Sequence, residues 1–331
     1  MRDFSYTRAL SADAARQASL EAGAQFLAGG TTLLDLAKCG VSDPDQLIDI
    51  SHLPDLDGIV VGAGEARIGA LARMSKVADH PSILAGFPAV SQSLSLAASQ
   101  QLRNMATIGG NLMQRTRCPY FRDPATFPAC NKREAGSGCS ALGGVTRNHA
   151  VLGTSEQCIA TYPGDLATAL VAFDATVELR SQAGSRTVPV EDFFALPGDT
   201  PERETVIERG EMITGITIPV SAAARHSTYL KVRDRQSYEF AAASAAVGLE
   251  FEADGRTVKD VRVALGGVAT KPWRCRTVEQ ALIGKVLTDD AIAFACGLSM
   301  EGAVVNGANR YKIELAPRVV ARALKTLGGL A

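Results

Sequence analysis

An excess of charge of either sign is what this sequence most plainly lacks. Its 34 basic and 35 acidic residues leave a formal net charge of -1, so no polyanionic partner such as nucleic acid is indicated. Long apolar runs are missing too. None approaches the ~20 residues that a helix needs to cross a bilayer, so no membrane span is expected. The opening residues, MRDFSYTRALSADAARQ, have no apolar core of a secretory signal, and the chain is therefore not expected to export itself. Thiols in such a protein are usually reduced, which weakens any disulfide reading. The CxxC spacing of common ferredoxins and zinc ribbons is absent as well. What remains is ordinary globular material, 46% hydrophobic and 21% charged over 331 residues, enough for two or three compact units with real cores.

Periodicity and punctuation order this material. Residues 11–22 read as a helix with Ser11 as its cap, and 25–38 (QFLAGGTTLLDLAK) as strand, glycine turn and helix. Short strands follow at 46–51 and over 58–72, the latter pair bent around 63–65. One long helical pattern fills 82–105, its stripe of Leu94, Ala97, Ala98 and Leu102 facing the core. The stretch 114–157 has little periodicity and many prolines and glycines. It is long for a structureless loop, which suggests that something binds and orders it. A hairpin is expected at 176–190, and three strands with a tight ADGR turn over 229–268. Helices are expected near 277–283, 289–305 and 317–327, the last opening on Pro317. Helices mixed with antiparallel hairpins predict an α+β fold rather than a doubly wound sheet, with a boundary near 220–228.

Three glycine turns compete for attention. VVGAGEARIGA (60–70) resembles a dinucleotide fingerprint, but Arg67 stands where the third glycine must allow close helix–strand packing. It reads as a hairpin turn. AGGTTLL (28–34) is more informative, because Gly29 and Gly30 follow an apolar strand and precede a helical run. Their backbone N–H groups can point outward together as an anion nest, with Thr31 and Thr32 as further donors. TIGGN (107–111) repeats the chemistry, and two such turns can jointly hold a pyrophosphate.

The irregular stretch also concentrates thiols. Cys118, Cys130, Cys139 and Cys158 are four of the seven cysteines, spaced C-x11-C-x8-C-x18-C. Four thiolates suit an iron–sulfur cluster or zinc equally well, and unligated thiols on a partner-binding loop are the bland alternative. Cys39, Cys275 and Cys296 fall in periodic segments and read as core residues, as does Trp273.

In AGGTTLLDL, QLRNMATIGGNL, PGDLATALVAFDATVEL and ALGGVATKPWR the chain resembles the flavoprotein subunits of molybdenum hydroxylases, in order and over nearly its whole length. RCPYF, CNKR, GSGC and KVRDRQSY point within that family to the flavoprotein subunits of bacterial periplasmic aldehyde oxidoreductases. The resemblance implies a vanillyl-alcohol-oxidase (PCMH)-type FAD-binding domain over 1–222, with an iron–sulfur insertion at about 114–158, and a small α+β domain of the CO dehydrogenase flavoprotein C-terminal type over 228–331. It implies that Leu27, Ala28, Gly29, Gly30, Thr31, Thr32 and Leu33, with Thr107, Gly110 and Asn111, clasp a non-covalent FAD. Asp165 would hold polar parts of the cofactor, and Lys231 would bring a cation to the flavin. The four clustered cysteines would carry a [4Fe–4S] cluster. Arg115, Arg117, Arg122, Lys132 and Arg133 would surround it with positive charge that favours its reduced form.

The implied role is electron transfer inside a heterotrimer, with a molybdenum-cofactor large subunit that oxidises the substrate and a [2Fe–2S] small subunit. No side-chain acid or base is needed for that role, and the motifs offer none. A free-standing flavin oxidase or reductase, or a cluster-bearing assembly scaffold, is the alternative. Related complexes travel folded on a partner's signal, so cytoplasm and periplasm both stay open.

Overall fold

The computed structural model describes residues 1–330. Strand β1 (Ser5–Arg8) leads into helix α1 (Ala12–Ala18), whose start Ser11 sets by accepting the Ala14 N–H at 3.1 Å, a cap worth about 1 kcal/mol. Then come β2 (Ala24–Leu27), α2 (Leu33–Lys38) and β3 (Gln46–Asp49). The strands β1 and β2 flank β3 in a parallel sheet. The first glycine turn thus leaves the carboxyl end of a parallel strand, where such sheets open their binding crevices. Strands β4 (Ile59–Val61) and β5 (Glu65–Gly69) make the expected antiparallel hairpin. The nucleotide look-alike is that hairpin, and Arg67 pairs with Glu178 at 2.6 Å.

The single helix expected over 82–105 is not there. After α3 (Met74–Ala78) the chain forms α4 (Pro81–Gly86), α5 (Pro88–Ser95) and α6 (Gln100–Met105). Pro88 has no N–H with which to continue α4 and instead opens α5. Ala98 takes a left-handed φ of 47°, which ends any right-handed run. Ser99 then caps α6 by accepting the Leu102 N–H at 3.3 Å. Of the proposed stripe, Leu94 and Ala97 are buried, while Ala98 and Leu102 are half-buried.

The short helices α7 (Ile108–Leu112) and α8 (Pro119–Arg122) precede α9 (Asp165–Ala172), every residue of which is buried. Strands β6 (Thr176–Ser181) and β7 (Gly184–Pro189) form the expected second hairpin, followed by α10 (Val190–Phe193) and β8 (Met212–Pro219). They complete an antiparallel sheet ordered β4-β5-β8-β6-β7.

Helix α11 (Ala222–Arg225) leads to β9 (Ser227–Val232), β10 (Ala243–Phe251), β11 (Val258–Gly266) and the short β12 (Trp273–Arg274), a second antiparallel sheet ordered β12-β11-β10-β9. Strand alternation divides its two faces. Ala245, Val247 and Leu249 on β10, with Val261, Val263 and Leu265 on β11, belong to one core with α12 (Arg276–Leu282), α13 (Asp289–Gly297) and α14 (Tyr311–Leu327). Ala246 and Ala264 turn the other way, onto the core of α9. Arg274 ties the layers by donating to the Val171 carbonyl at 2.6 Å and pairing with Asp174 at 3.0 Å. Contrary to expectation, α14 does not begin at Pro317 but at Tyr311, with the proline inside it. The cost of a missing N–H is offset by buried Ala316, Val319, Val320, Ala323 and Leu324, which hold the helix against the sheet.

Candidate functional site

The two glycine turns read from the sequence meet. Gly29 lies so close to residue 105 that a Cβ there would overlap the Met105 carbonyl oxygen, and Gly30 holds a φ of 71°, open to glycine at little cost. The backbone N–H groups of Ala28, Gly29, Gly30, Thr31, Thr32 and Leu33 donate to no acceptor among the described residues. A run of free, convergent donors is an anion nest. Thr107, buried, opens α7 and accepts the Gly110 N–H at 3.3 Å. Asn111 donates to the Met74 sulfur at 3.4 Å, and its Oδ1 is buried without a partner. Asn111 does not line the cleft that the turns share, and the second turn spends its own N–H groups inside the protein, Ile108 on the Ala72 carbonyl and Gly109 on the Ala70 carbonyl.

These turns line one cleft of about 590 Å³, a size typical of ligand pockets, which span ~300–1,000 Å³. Apolar walls from Phe26, Ile50, Leu71, Ile207 and Met212 face the nest. The segment 207–213 was invisible to sequence reasoning, because it carries no motif and reaches the cleft only through the sheet. Leu27 does not line the cleft; its side chain packs where a substituent on Gly30 would lie. The cleft's chemistry, an anion clasp beside a greasy slot, suits a dinucleotide with its pyrophosphate on the nest.

Asp165 and Lys231 do not line this cleft. They hold one another, Lys231 Nζ to Asp165 Oδ2 at 2.8 Å, with both side chains buried. Tyr229 donates to the other carboxylate oxygen at 2.7 Å, and Lys231 also donates to the Leu96 carbonyl at 3.1 Å. Burial pushes the Asp165 carboxyl up from its ordinary range against the opposing pull of Lys231.

The irregular stretch is ordered. Residues 130 and 139 face each other across an antiparallel bridge. Asn131 closes the turn beneath them by accepting the Gly138 N–H at 2.8 Å, while its own N–H donates to the Gly138 carbonyl at 2.6 Å. Arg133 ties the base of the loop by donating to the carbonyls of Tyr120, Phe121, Phe127 and Pro128. Cys118, Cys130, Cys139 and Cys158 line one small cavity with Tyr120 and Phe121. All seven cysteines are free thiols. Among the described residues, no three Cys, His, Asp or Glu side chains are placed to share one metal ion. The Cys118 sulfur lies 3.2 Å from His149 Nε2. Burial pushes this thiol up to about 12 and the imidazole down to about 4, so the pair is not a nucleophilic thiolate–imidazolium dyad.

The expected positive charge around the insertion is present but partly paired. Arg115 and Lys132 both pair with Glu204, Arg117 and Arg122 both pair with Asp35, and Arg133 is spent on carbonyls. Two carboxylates that the sequence places far away thus pair with four of the five cations, and a positive excess remains. Cys275 and Cys296 are buried as expected, whereas Cys39 sits half-buried at the end of α2.

Comparison with known proteins bears on this arrangement. The description "FAD binding domain in molybdopterin dehydrogenase" matches residues 2–221, and "CO dehydrogenase flavoprotein C-terminal domain" matches 227–327. The chain belongs to the FAD-binding subunits of molybdopterin dehydrogenases. Members of this family with similar sequences include the aldehyde oxidoreductase FAD-binding subunit PaoB of Escherichia coli, 44% identical over 98% of each chain. The glyceraldehyde dehydrogenase medium chain of Sulfolobus acidocaldarius is 29% identical, over 88% of this chain and 84% of the other. Among solved structures, carbon monoxide dehydrogenase of Hydrogenophaga pseudoflava superposes with a TM-score of 0.75 at 25% identity, covering 100% of this chain and 99% of that one. As a member of the family this subunit is an FAD-binding oxidoreductase component with an electron-transfer role. No helix among the described residues is long and apolar enough to cross a membrane.

Proposed function

We propose that this chain carries the FAD of a molybdenum-containing aldehyde oxidoreductase, assembled with a molybdenum-cofactor large subunit and a [2Fe–2S] small subunit as a heterotrimer. The observation that carries the reading is the run of free N–H groups over 28–33 facing Thr107 across one cleft. The nest over 28–33 with the hydroxyls of Thr31 and Thr32 would hold the pyrophosphate, with Thr107 and Gly110 lining the opposite side of the cleft. The walls at Phe26, Ile50 and Ile207 would exclude water from the adenine end. Asp165 and Lys231, paired with each other outside this cleft, would serve the site by holding α9 against β9. FAD bound there supplies the capacity to take up and release electrons, while the chain supplies binding, orientation and electrostatics.

The four cysteines around one cavity support a [4Fe–4S] cluster in the insertion. A cubane is bound by one thiolate on each of its irons, so its ligands surround it instead of meeting at one atom, as zinc requires. Two experiments test the reading. The purified chain should release FAD on acid precipitation, yet turn over no aldehyde with an artificial acceptor unless coexpressed with its partner subunits. A molybdenum-free single chain that oxidised aldehydes as fast as the complex would overturn the subunit reading.

A further inference from the structure

His149 is the one histidine of the insertion, and it is 2% exposed. Its position is fixed from both domains. The backbone N–H of His149 donates to the Thr146 carbonyl at 2.9 Å, the Thr146 hydroxyl donates to the Asn306 carbonyl, and Asn309 donates to the Ala150 carbonyl at 2.9 Å. The ring therefore has little freedom, with Tyr120 stacked obliquely 5.9 Å away. One ring nitrogen, Nε2, faces the Cys118 sulfur at 3.2 Å. The other, Nδ1, is buried with no partner.

The two tautomers are not equivalent here. With the proton on Nδ1, a buried N–H would lack any acceptor, at a cost of ~1–3 kcal/mol, and the Nε2 lone pair would face the sulfur. With the proton on Nε2, the N–H points at the sulfur, and only an acceptor lone pair is left unpaired. That second arrangement suits a sulfur with no proton of its own, which is a metal-bound thiolate. We propose that His149 donates its Nε2–H to the Cys118 sulfur and thereby raises the reduction potential of the cluster, as a positioning and tuning residue and not as a ligand. The inference rests on the cluster reading above. An N–H donor draws electron density from the ligand sulfur, and so favours the reduced, more negative cluster.

The test uses the full-length chain purified anaerobically. Iron and sulfide analysis of the wild type comes first, because a chain without both would overturn the cluster reading and this inference with it. His149→Leu should keep its iron and sulfide but become harder to reduce. In an EPR-monitored titration, its reduced-to-oxidised ratio at the wild-type midpoint should fall about tenfold, equal to ~59 mV for one electron. His149→Gln, which keeps an N–H near the same place, should recover most of that shift. An unchanged midpoint in a cluster-replete Leu variant overturns the proposal. Should the Leu variant lose its cluster, wild-type protein labelled with 15N-histidine decides. Pulsed EPR showing a weak nitrogen coupling transmitted through a hydrogen bond supports the donor role. A strong coupling of a directly bound nitrogen, or none, overturns it.

Discussion

Lys231 Nζ stands 2.8 Å from Asp165 Oδ2, a salt bridge with side chains only 1% and 6% exposed. It joins β9 of the second sheet to the first turn of α9. Two charges so deeply buried cost more to desolvate than they regain unless their remaining hydrogen bonds are met. Here Tyr229 and the Leu96 carbonyl meet them. Removing one partner should therefore be severe. Asp165→Ala should lower stability by about 3–5 kcal/mol in denaturant unfolding. A double variant with Asp165→Leu and Lys231→Met should recover much of that loss. Equal losses in the single and double variants would show that the charges are not coupled.

Gly30→Val should empty the flavin cleft while leaving the fold intact. At a φ of 71° a β-branched residue is strained by about 1–3 kcal/mol, and relaxing that strain turns the N–H groups of the nest apart. The wild type should release free FAD on acid precipitation, and the variant should purify nearly colourless with an unchanged far-UV spectrum. Stoichiometric flavin in the variant would move the clasp elsewhere.

Serine in place of Cys118, Cys130, Cys139 or Cys158 should in each case lose or degrade the cluster, since all four line the same cavity. The same change at Cys39, Cys275 or Cys296 should leave iron and sulfide untouched, although the two buried sites will lose stability. Metal analysis of anaerobic preparations reads the result directly. Zinc without iron and sulfide in the wild type would reject the cluster.

Asp49 makes acid sensitivity predictable at one position. Burial opposes its ionisation, yet hydrogen bonds from Ser51 and Tyr6, with the charge of Arg8, hold its carboxyl down to about 2. A depressed carboxyl contributes stability above the unfolded pKa of ~3.9 and loses it as pH falls toward 2. Asp49→Asn should thus cost about 2–3 kcal/mol at pH 7. The gap to the wild type should close between roughly pH 4 and 2. A gap constant across that window would assign the loss to packing.

Much of this protein was legible in local sequence, because the deciding forces there are local. Ser11 caps a helix through its own neighbour's N–H, and the ADGR turn closes a hairpin whose strands alternate. The paired glycines at 29–30 and 109–110 marked backbone that had to come close to something. The four clustered cysteines stood out by density alone. Where reading failed, a local signal was overruled by a neighbour in space or by one backbone angle. Residues 82–105 had the right period for one helix, but Pro88 and a left-handed Ala98 divide it. Pro317 looked like a helix start, but the buried face of α14 carries it inside the helix. The basic residues of the insertion looked free, but Asp35 and Glu204 reach them from distant parts of the chain.

The sequence by itself determined the groups on offer: paired glycines in two turns and four thiols gathered in one irregular stretch. Only the tertiary structure decided what those groups meet. It brought the turn at 28–33 against residue 105, set Ile207 and Met212 into the same cleft, and placed His149 Nε2 against the Cys118 sulfur. The physical reason is that hydrogen bonds and ion pairs act over a few ångströms, while the residues that share them here lie scores of positions apart.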